Sequence, residues 1–211
     1  MIAGDHLRSV QNATLSAAHR IFDLARHRRN RNGSAQESKT PMLTVRDATM
    51  ADCDRLSRLG EATYRSHFTA IWSPARLEAY IKTEYGPAAL ERSLAQTDSL
   101  WLIAELGGVP TGFAKLNWDR PLPVAGTRIG TELQKIYFLA EQTGRGQGGA
   151  MLDAIVERVQ RRGDRLLWLD VLKSNTGARG FYERHGFRVA GAIPFATDLM
   201  EIGMWVMALD L

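Results

Sequence analysis

Along residues 42–211 the spacing of apolar positions changes several times, and each change marks an element. "MLTVRDA" alternates as a short first strand. "TMADCDRLSRLGEATYRSHF" places its apolar residues three and four apart, as a helix does. Thr49 stands where an N-cap belongs, and acids occupy the first turn, where the helix dipole favours them. Ser73-Pro74 opens a second helix, "SPARLEAYIKTEY", with proline at the first helical position. Gly86-Pro87 breaks it, and "PAALERSLAQ" makes a third. Alternation then takes over. "LWLIAELGGVPTGFAKLNW" predicts a hairpin around Gly107-Gly108, and "TELQKIYFL" a further strand. "GGAMLDAIVERVQRRG" is an amphipathic helix with basic residues in its last turn and Gly163 at its C-cap. "RLLWLDV" is a strand, "TGARGFYERHG" a helix, and "FRVAGAIPF" and "GMWVMALDL" the last strands. This order predicts an α+β, three-layer domain. Its single mixed sheet is mostly antiparallel, with a parallel β–α–β core at 131–171 and helices on both faces.

Residues 1–41 read differently. Leu7, Val10, Ala13, Ala17, Ile21 and Leu24 recur at helical spacing, and "RHRRNRNGSAQESKTP" then reads as a polar, Arg-rich linker. The expected organisation is a basic, partly disordered leader at 1–41 and one domain at 42–211. The formal net charge of +4 sits entirely in that leader, which holds seven basic and three acidic side chains. Residues 42–211 carry twenty of each, so bulk charge selects no partner for the domain and nucleic acid is not its expected ligand. A single cysteine, Cys53, excludes an internal disulfide, a multi-cysteine zinc site and an iron–sulfur cluster, and fits a cytoplasmic protein. No apolar run is long enough to span a bilayer.

Candidate chemistry concentrates in "AEQTGRGQGGAML", residues 140–152, a glycine-rich loop running into a helix. Gly144-x-Gly146-x-x-Gly149 satisfies a dinucleotide-binding pattern, and Asp170 follows near the place of a ribose-binding acid. Against that reading, Ala140 to Thr143 separate the loop from its strand, and only forty-one residues follow Asp170. A P-loop lacks its Lys-Ser/Thr. What lies downstream is more specific: a second strand, then "SNTGARGFYERHGF" at 174–187. This ordered set resembles the GNAT superfamily of N-acetyltransferases, over essentially Met42 to Leu211. The family's Q/R-x-x-G-x-G/A signature falls on Thr143-Gly144-Arg145-Gly146-Gln147-Gly148, with Thr143 departing from Gln or Arg at the first position. Its Asn…Tyr helix falls on Asn175 and Tyr182.

The resemblance implies an acetyl-CoA-dependent N-acetyltransferase with no metal. Gly144, Arg145, Gly146, Gln147, Gly148 and Gly149 would cradle the pyrophosphate of coenzyme A, since backbone N–H groups at a helix N-terminus suit an anion. The backbone of Ile136, Tyr137 and Phe138 would pair with the pantetheine arm and the thioester, and Asn175 would bond the arm or cap its helix. Tyr182 would stabilise the leaving thiolate. Two acids compete for general base, Glu132 and Asp170, with a bound water as the third choice and His67 and His185 as further alternatives. Strand parity places Glu132, Gln134 and Ile136 on one face, and Trp168 with Asp170.

The acceptor is expected to be a primary amine of a small molecule, or else of a peptide or protein. The first third of the domain resembles the bacterial subgroup that includes a PaiA-type spermidine/spermine acetyltransferase. Tyr64, Phe68, Trp72, Tyr80 and Tyr85 either line an amine pocket through cation–π contacts or form core. A polycation site should be acidic, and this domain is neutral. A non-catalytic acyl-CoA-binding regulator and a homodimer both stay open.

Overall fold

Seven strands form one sheet: β1 (Leu43–Asp47), β2 (Ser99–Leu106), β3 (Val109–Pro121), β4 (Ile129–Phe138), β5 (Leu166–Leu172), β6 (Arg188–Ile193) and β7 (Met204–Asp210). Their spatial order is β1-β2-β3-β4-β5-β7-β6. Every neighbouring pair is antiparallel except β4 and β5, which are parallel. This is a computed structural model describing residues 42–124, 126–142 and 146–211. The expected leader at 1–41, and Thr143, Gly144 and Arg145 of the glycine loop, lie outside the described residues. The mixed sheet leaves no place for a doubly wound dinucleotide domain, whose sheet is mostly parallel.

Among the described residues five helices cover the two faces: α1 (Cys53–Phe68), α2 (Pro74–Tyr85), α3 (Pro87–Leu94), α4 (Gln147–Arg162) and α5 (Thr176–Arg184). Alternation along the strands sorts the core. Leu102, Ala104, Ala114, Leu116 and Leu133 pack against Met151, Leu152, Ile155 and Val159 of α4 and Ala178 and Tyr182 of α5. Trp101, Ile103, Phe113 and Tyr137 point the other way, onto Leu56, Tyr64 and Phe68 of α1, Leu77, Ile81 and Tyr85 of α2, and Leu90 of α3. Pro74 opens α2 as expected, with Ser73 Oγ accepting from Arg76 N as its cap, and α4 ends in the expected Gly163, which is left-handed. At the start of α1 the roles reverse. A 3-10 turn, Met50–Asp52, precedes the helix, and Thr49 donates its N–H to the Asp52 carboxylate at 2.9 Å. Asp52 is buried and also takes Arg46 and Arg55, each at 2.8 Å, which ties α1 to β1. Among the described residues no helix is long and apolar enough to cross a membrane.

The parallel junction is short. β4 and β5 pair only at Thr131↔Leu167 and Glu132↔Trp168, although β4 runs on to Phe138 and β5 to Leu172. Gly130 sets their close approach: a Cβ there would lie 2.4 Å from the Leu166 carbonyl oxygen. Because that neighbour is backbone, it cannot swing away. Gly130→Ala is expected to destabilise the fold by about 1–3 kcal/mol, the usual cost of overpacking, read as a lower denaturation midpoint. An unchanged midpoint would show that the strands can part without cost.

Candidate active site

Beyond Glu132 the two parallel strands separate, and the candidate residues collect around the opening. β4 carries a bulge at Gln134, midway along the strand. Lys115↔Lys135 and Leu116↔Leu133 are consecutive pairs on β3 but skip Gln134 on β4. The extra residue reverses the facing of everything after it. Glu132 therefore shares its face with Lys135 and Tyr137, whereas Ile136 and Phe138 turn to the α4/α5 side. The parity that grouped Glu132 with Gln134 and Ile136 fails for this reason. The pairing with Trp168 puts Asp170, two residues on, on the same face as Glu132. Across that face run two rows: Ser99, Asn117, Glu132 and Trp168, then Trp101, Lys115, Lys135 and, beyond the opening, Asp170.

Glu132 is held by one firm contact, the Asn117 amide donating to Oε2 at 2.7 Å. Asp170 is buried. Tyr182 of α5 rises from the opposite face, buried against Phe181 of the same helix and Phe187 just beyond it. Asp170 and Tyr182 both lie close enough to the buried Tyr137 phenol to push its pKa further up, after desolvation has done most of the work. So Tyr182 and the acids approach the same opening from its two sides.

The described part of the glycine segment, from Gly146 on, starts α4. Gly146 has φ 80°, a conformation that costs glycine nothing, and no side chain caps the helix. The first intrahelical bond runs from Ala150 N to Gly146 O, so the N–H groups of Gln147, Gly148 and Gly149 have no partner within the helix. Gln147's side chain is not part of this. It is buried, accepting from Thr111 Oγ1 at 3.2 Å and donating to Gln142 Oε1 at 3.1 Å, which leaves only its backbone for a ligand. Asn175 caps α5, its Oδ1 accepting from Ala178 N at 3.0 Å. Its buried Nδ2 has no partner among the described residues. An orphan donor, a strand without its neighbour and an uncapped helix start all fit an extended polar cofactor with an anionic end.

A family profile for the acetyltransferase (GNAT) family matches residues 62–187. The chain belongs to the GNAT family. It is accordingly an acyltransferase of the N-acetyltransferase kind, with acetyl-CoA as its co-substrate and an amine as acceptor. This GNAT chain is 24% identical to an uncharacterised N-acetyltransferase of Mycobacterium tuberculosis over 77% of its own length and 99% of that protein's. It is 25% identical to an L-methionine sulfoximine/L-methionine sulfone acetyltransferase of Pseudomonas aeruginosa, over 77% of its length and 89% of that protein's. Among solved structures, a PaiA N-acetyltransferase of Thermoplasma acidophilum in complex with coenzyme A has the same fold. Its TM-score is 0.64 at 21% identity, covering 81% of this chain and 99% of that one.

Two features of the GNAT site escaped the sequence reading. One is the bulge. The other is a pair of lysines on the face that carries the acids. Lys135 is fully buried, 3.1 Å from Glu84 Oε2, with its ammonium over the rings of Tyr80 and Tyr85. Lys115 lies over Trp101, and burial brings its pKa down to about 8. A lysine amid the buried residues of "GFAKLNW" was the available signal. The aromatics are mostly core: Tyr64, Phe68 and Tyr85 are essentially inaccessible, and Tyr80 and Tyr85 both meet the Lys135 ammonium, Tyr80 also through its hydroxyl. Arg65 is consumed by Glu61 and Glu78. His67 Nε2 meets the Phe138 carbonyl at 3.2 Å, and His185 Nδ1 meets the Phe181 carbonyl at 2.8 Å.

Both acids are pushed above the ordinary carboxylate range. For Glu132 desolvation outweighs the Asn117 hydrogen bond and the nearby cations. For Asp170 desolvation comes first and the Glu132 charge adds to it. A carboxyl whose folded pKa is raised binds protons in the folded state that the unfolded chain has released, so stability falls as pH climbs above the unfolded value of 3.8. Asp170→Asn, neutral throughout, should therefore gain on the wild type as pH rises: the difference in melting temperature is expected to be larger at pH 8 than at pH 4. A difference independent of pH would mean that Asp170 is not held protonated.

Proposed function

We propose that this acetyltransferase transfers the acetyl group to a primary amine of a small molecule by direct attack, with Glu132 as general base and Tyr182 at the leaving group. The observation that carries the reading is the opening beyond Glu132, flanked by the acids on one side and Tyr182 on the other. Glu132 takes a proton from the acceptor's ammonium, and the neutral amine then attacks the thioester carbon. The nitrogen sheds its second proton to solvent once the C–N bond has formed. The raised pKa of Glu132 brings it nearer the operating pH, which suits a base. A backbone N–H in Ile136–Phe138 donates to the thioester oxygen as it gains charge. Tyr182 donates to the thiolate sulfur as the C–S bond breaks. Thiol near ~8.5 and phenol near ~10 make a hydrogen bond, rather than full proton transfer, the economical description. The N–H groups of Gln147, Gly148 and Gly149 hold pyrophosphate together with Gly144 and Arg145, and Asn175 Nδ2 serves the pantetheine arm.

The acceptor reading leans on the face itself. Two lysines there oppose a polycation, which weakens a polyamine role of the PaiA kind. The Pseudomonas relative is named for amino-acid derivatives, small molecules with one amine. A peptide or protein N-terminus remains the alternative acceptor class. Asp170 is the alternative base, because it borders the opening directly and its carboxyl is also raised.

Thiol release from acetyl-CoA against an amine panel tests the scheme. Tyr182→Phe is expected to lower kcat by roughly 10²-fold, within the range of acid–base contributions, with little change in KM for acetyl-CoA. In the wild type, kcat/KM should rise with pH as the base loses its proton, through a value above the normal carboxylate range. Glu132→Gln should abolish that limb. Loss of the limb in Asp170→Asn but not in Glu132→Gln would transfer the role to Asp170.

A further inference from the structure

Lys115 is a cation on the acid-bearing face with no ion-pair partner among the described residues. Its β4 register partner, Lys135, has Glu84 at 3.1 Å and two tyrosine rings. Lys115 has only the Trp101 ring, 5.4 Å from Nζ. Among the described residues no carboxylate lies within salt-bridge distance of it. Glu84, Glu132 and Asp98 act on it only from further away, and Lys135 repels it. Keeping such a cation half-buried on a sheet face is costly unless an anion arrives to pair with it. Lys115 also retains partial solvent contact, as does Glu132, so a ligand can reach both.

Its position relative to the base is the second observation. Lys115 and Asn117 are alternate residues of β3, hence on one face and about 6.6 Å apart along the strand. Asn117 is the residue that holds Glu132. An amine placed against Glu132 thus has the Lys115 ammonium within a side chain's reach, on the side away from Trp168.

We propose that the acceptor carries an anionic group, a carboxylate or similar oxyanion, close to its reacting amine, and that Lys115 Nζ binds it. This deepens the acetyltransferase reading and rests on it. The same charge repels polyamines and gives no advantage to an uncharged amine, so Lys115 sorts acceptors by the sign of the group beside the nitrogen.

The test uses the full chain, acetyl-CoA and matched acceptors. These are L-methionine sulfone, L-glutamate, L-phenylalanine and 4-aminobutyrate, each against its methyl ester, with spermidine, tyramine and a tripeptide alongside. Coenzyme A release gives kcat/KM for each, and calorimetry gives acetyl-CoA affinity separately. The best acceptor is expected to be an acid, preferred over its ester by at least about tenfold, as one lost charge-assisted hydrogen bond implies. Lys115→Met should erase most of that preference, Lys115→Arg should keep it, and thermal denaturation of both variants checks folding. A best acceptor that is spermidine or a neutral amine overturns the proposal, as does a preference that survives Lys115→Met. Acetyl-CoA binding with no turnover on any acceptor also overturns it while leaving the cofactor site intact. Absence of acetyl-CoA binding instead overturns the acetyltransferase site on which it rests.

Discussion

The whole site depends on two parallel strands that pair for two residues and then part. A β-sheet ordinarily satisfies its backbone groups along the full length of each strand. Here the second half of β4 loses its β5 neighbour. The resulting opening passes through the sheet, so one helix layer can deliver a phenol and the other face can deliver acids to a common point. Gly130 fixes where the strands touch, and Gly146 fixes where the helix that follows β4 begins. Between them these two glycines frame the space that an extended thioester needs.

The electrostatics of the acid-bearing face follow from the bulge just inside the opening. Without it, Glu132 and Lys135 would point to opposite faces. With it, Glu132, Lys135 and, across the opening, Asp170 share one partly dry surface with Lys115. Charges in such a place are strongly coupled, because neither water nor salt screens them well. Burial pushes the Asp170 carboxyl up, Lys135 is paired with Glu84, and Glu132 and Lys115 have no ion-pair partner among the described residues. The proposed base and the proposed selectivity charge thus come from one local arrangement.

Much of this was legible in the sequence. Period and punctuation located all seven strands and five helices within a few residues, because glycine, proline and cap residues sit where the backbone needs them. The pairing of a glycine loop with "NTGARGFYERHG" thirty-odd residues later pointed to the family. The facing of β4 was not legible. A bulge is set by pairing with β3, not by the local alternation of "TELQKIYF", and Gln134 looks like any strand residue. The lysines were passed over because a lysine in a strand usually points to water, whereas here Tyr80, Glu84 and Tyr85 of α2 meet Lys135 and Trp101 underlies Lys115. Gln147 matched a signature position, yet its side chain turns inward to Thr111, which a motif cannot reveal.

Hydrogen exchange of the amides with and without acetyl-CoA tests the central claim most directly. The account predicts that binding slows exchange at Leu133–Phe138 of β4 and at Gln147–Gly149 of α4, with little change in β2 or β6. Protection elsewhere, with these two segments unaffected, would contradict it, because the parting of β4 from β5 would then have nothing to do with the thioester.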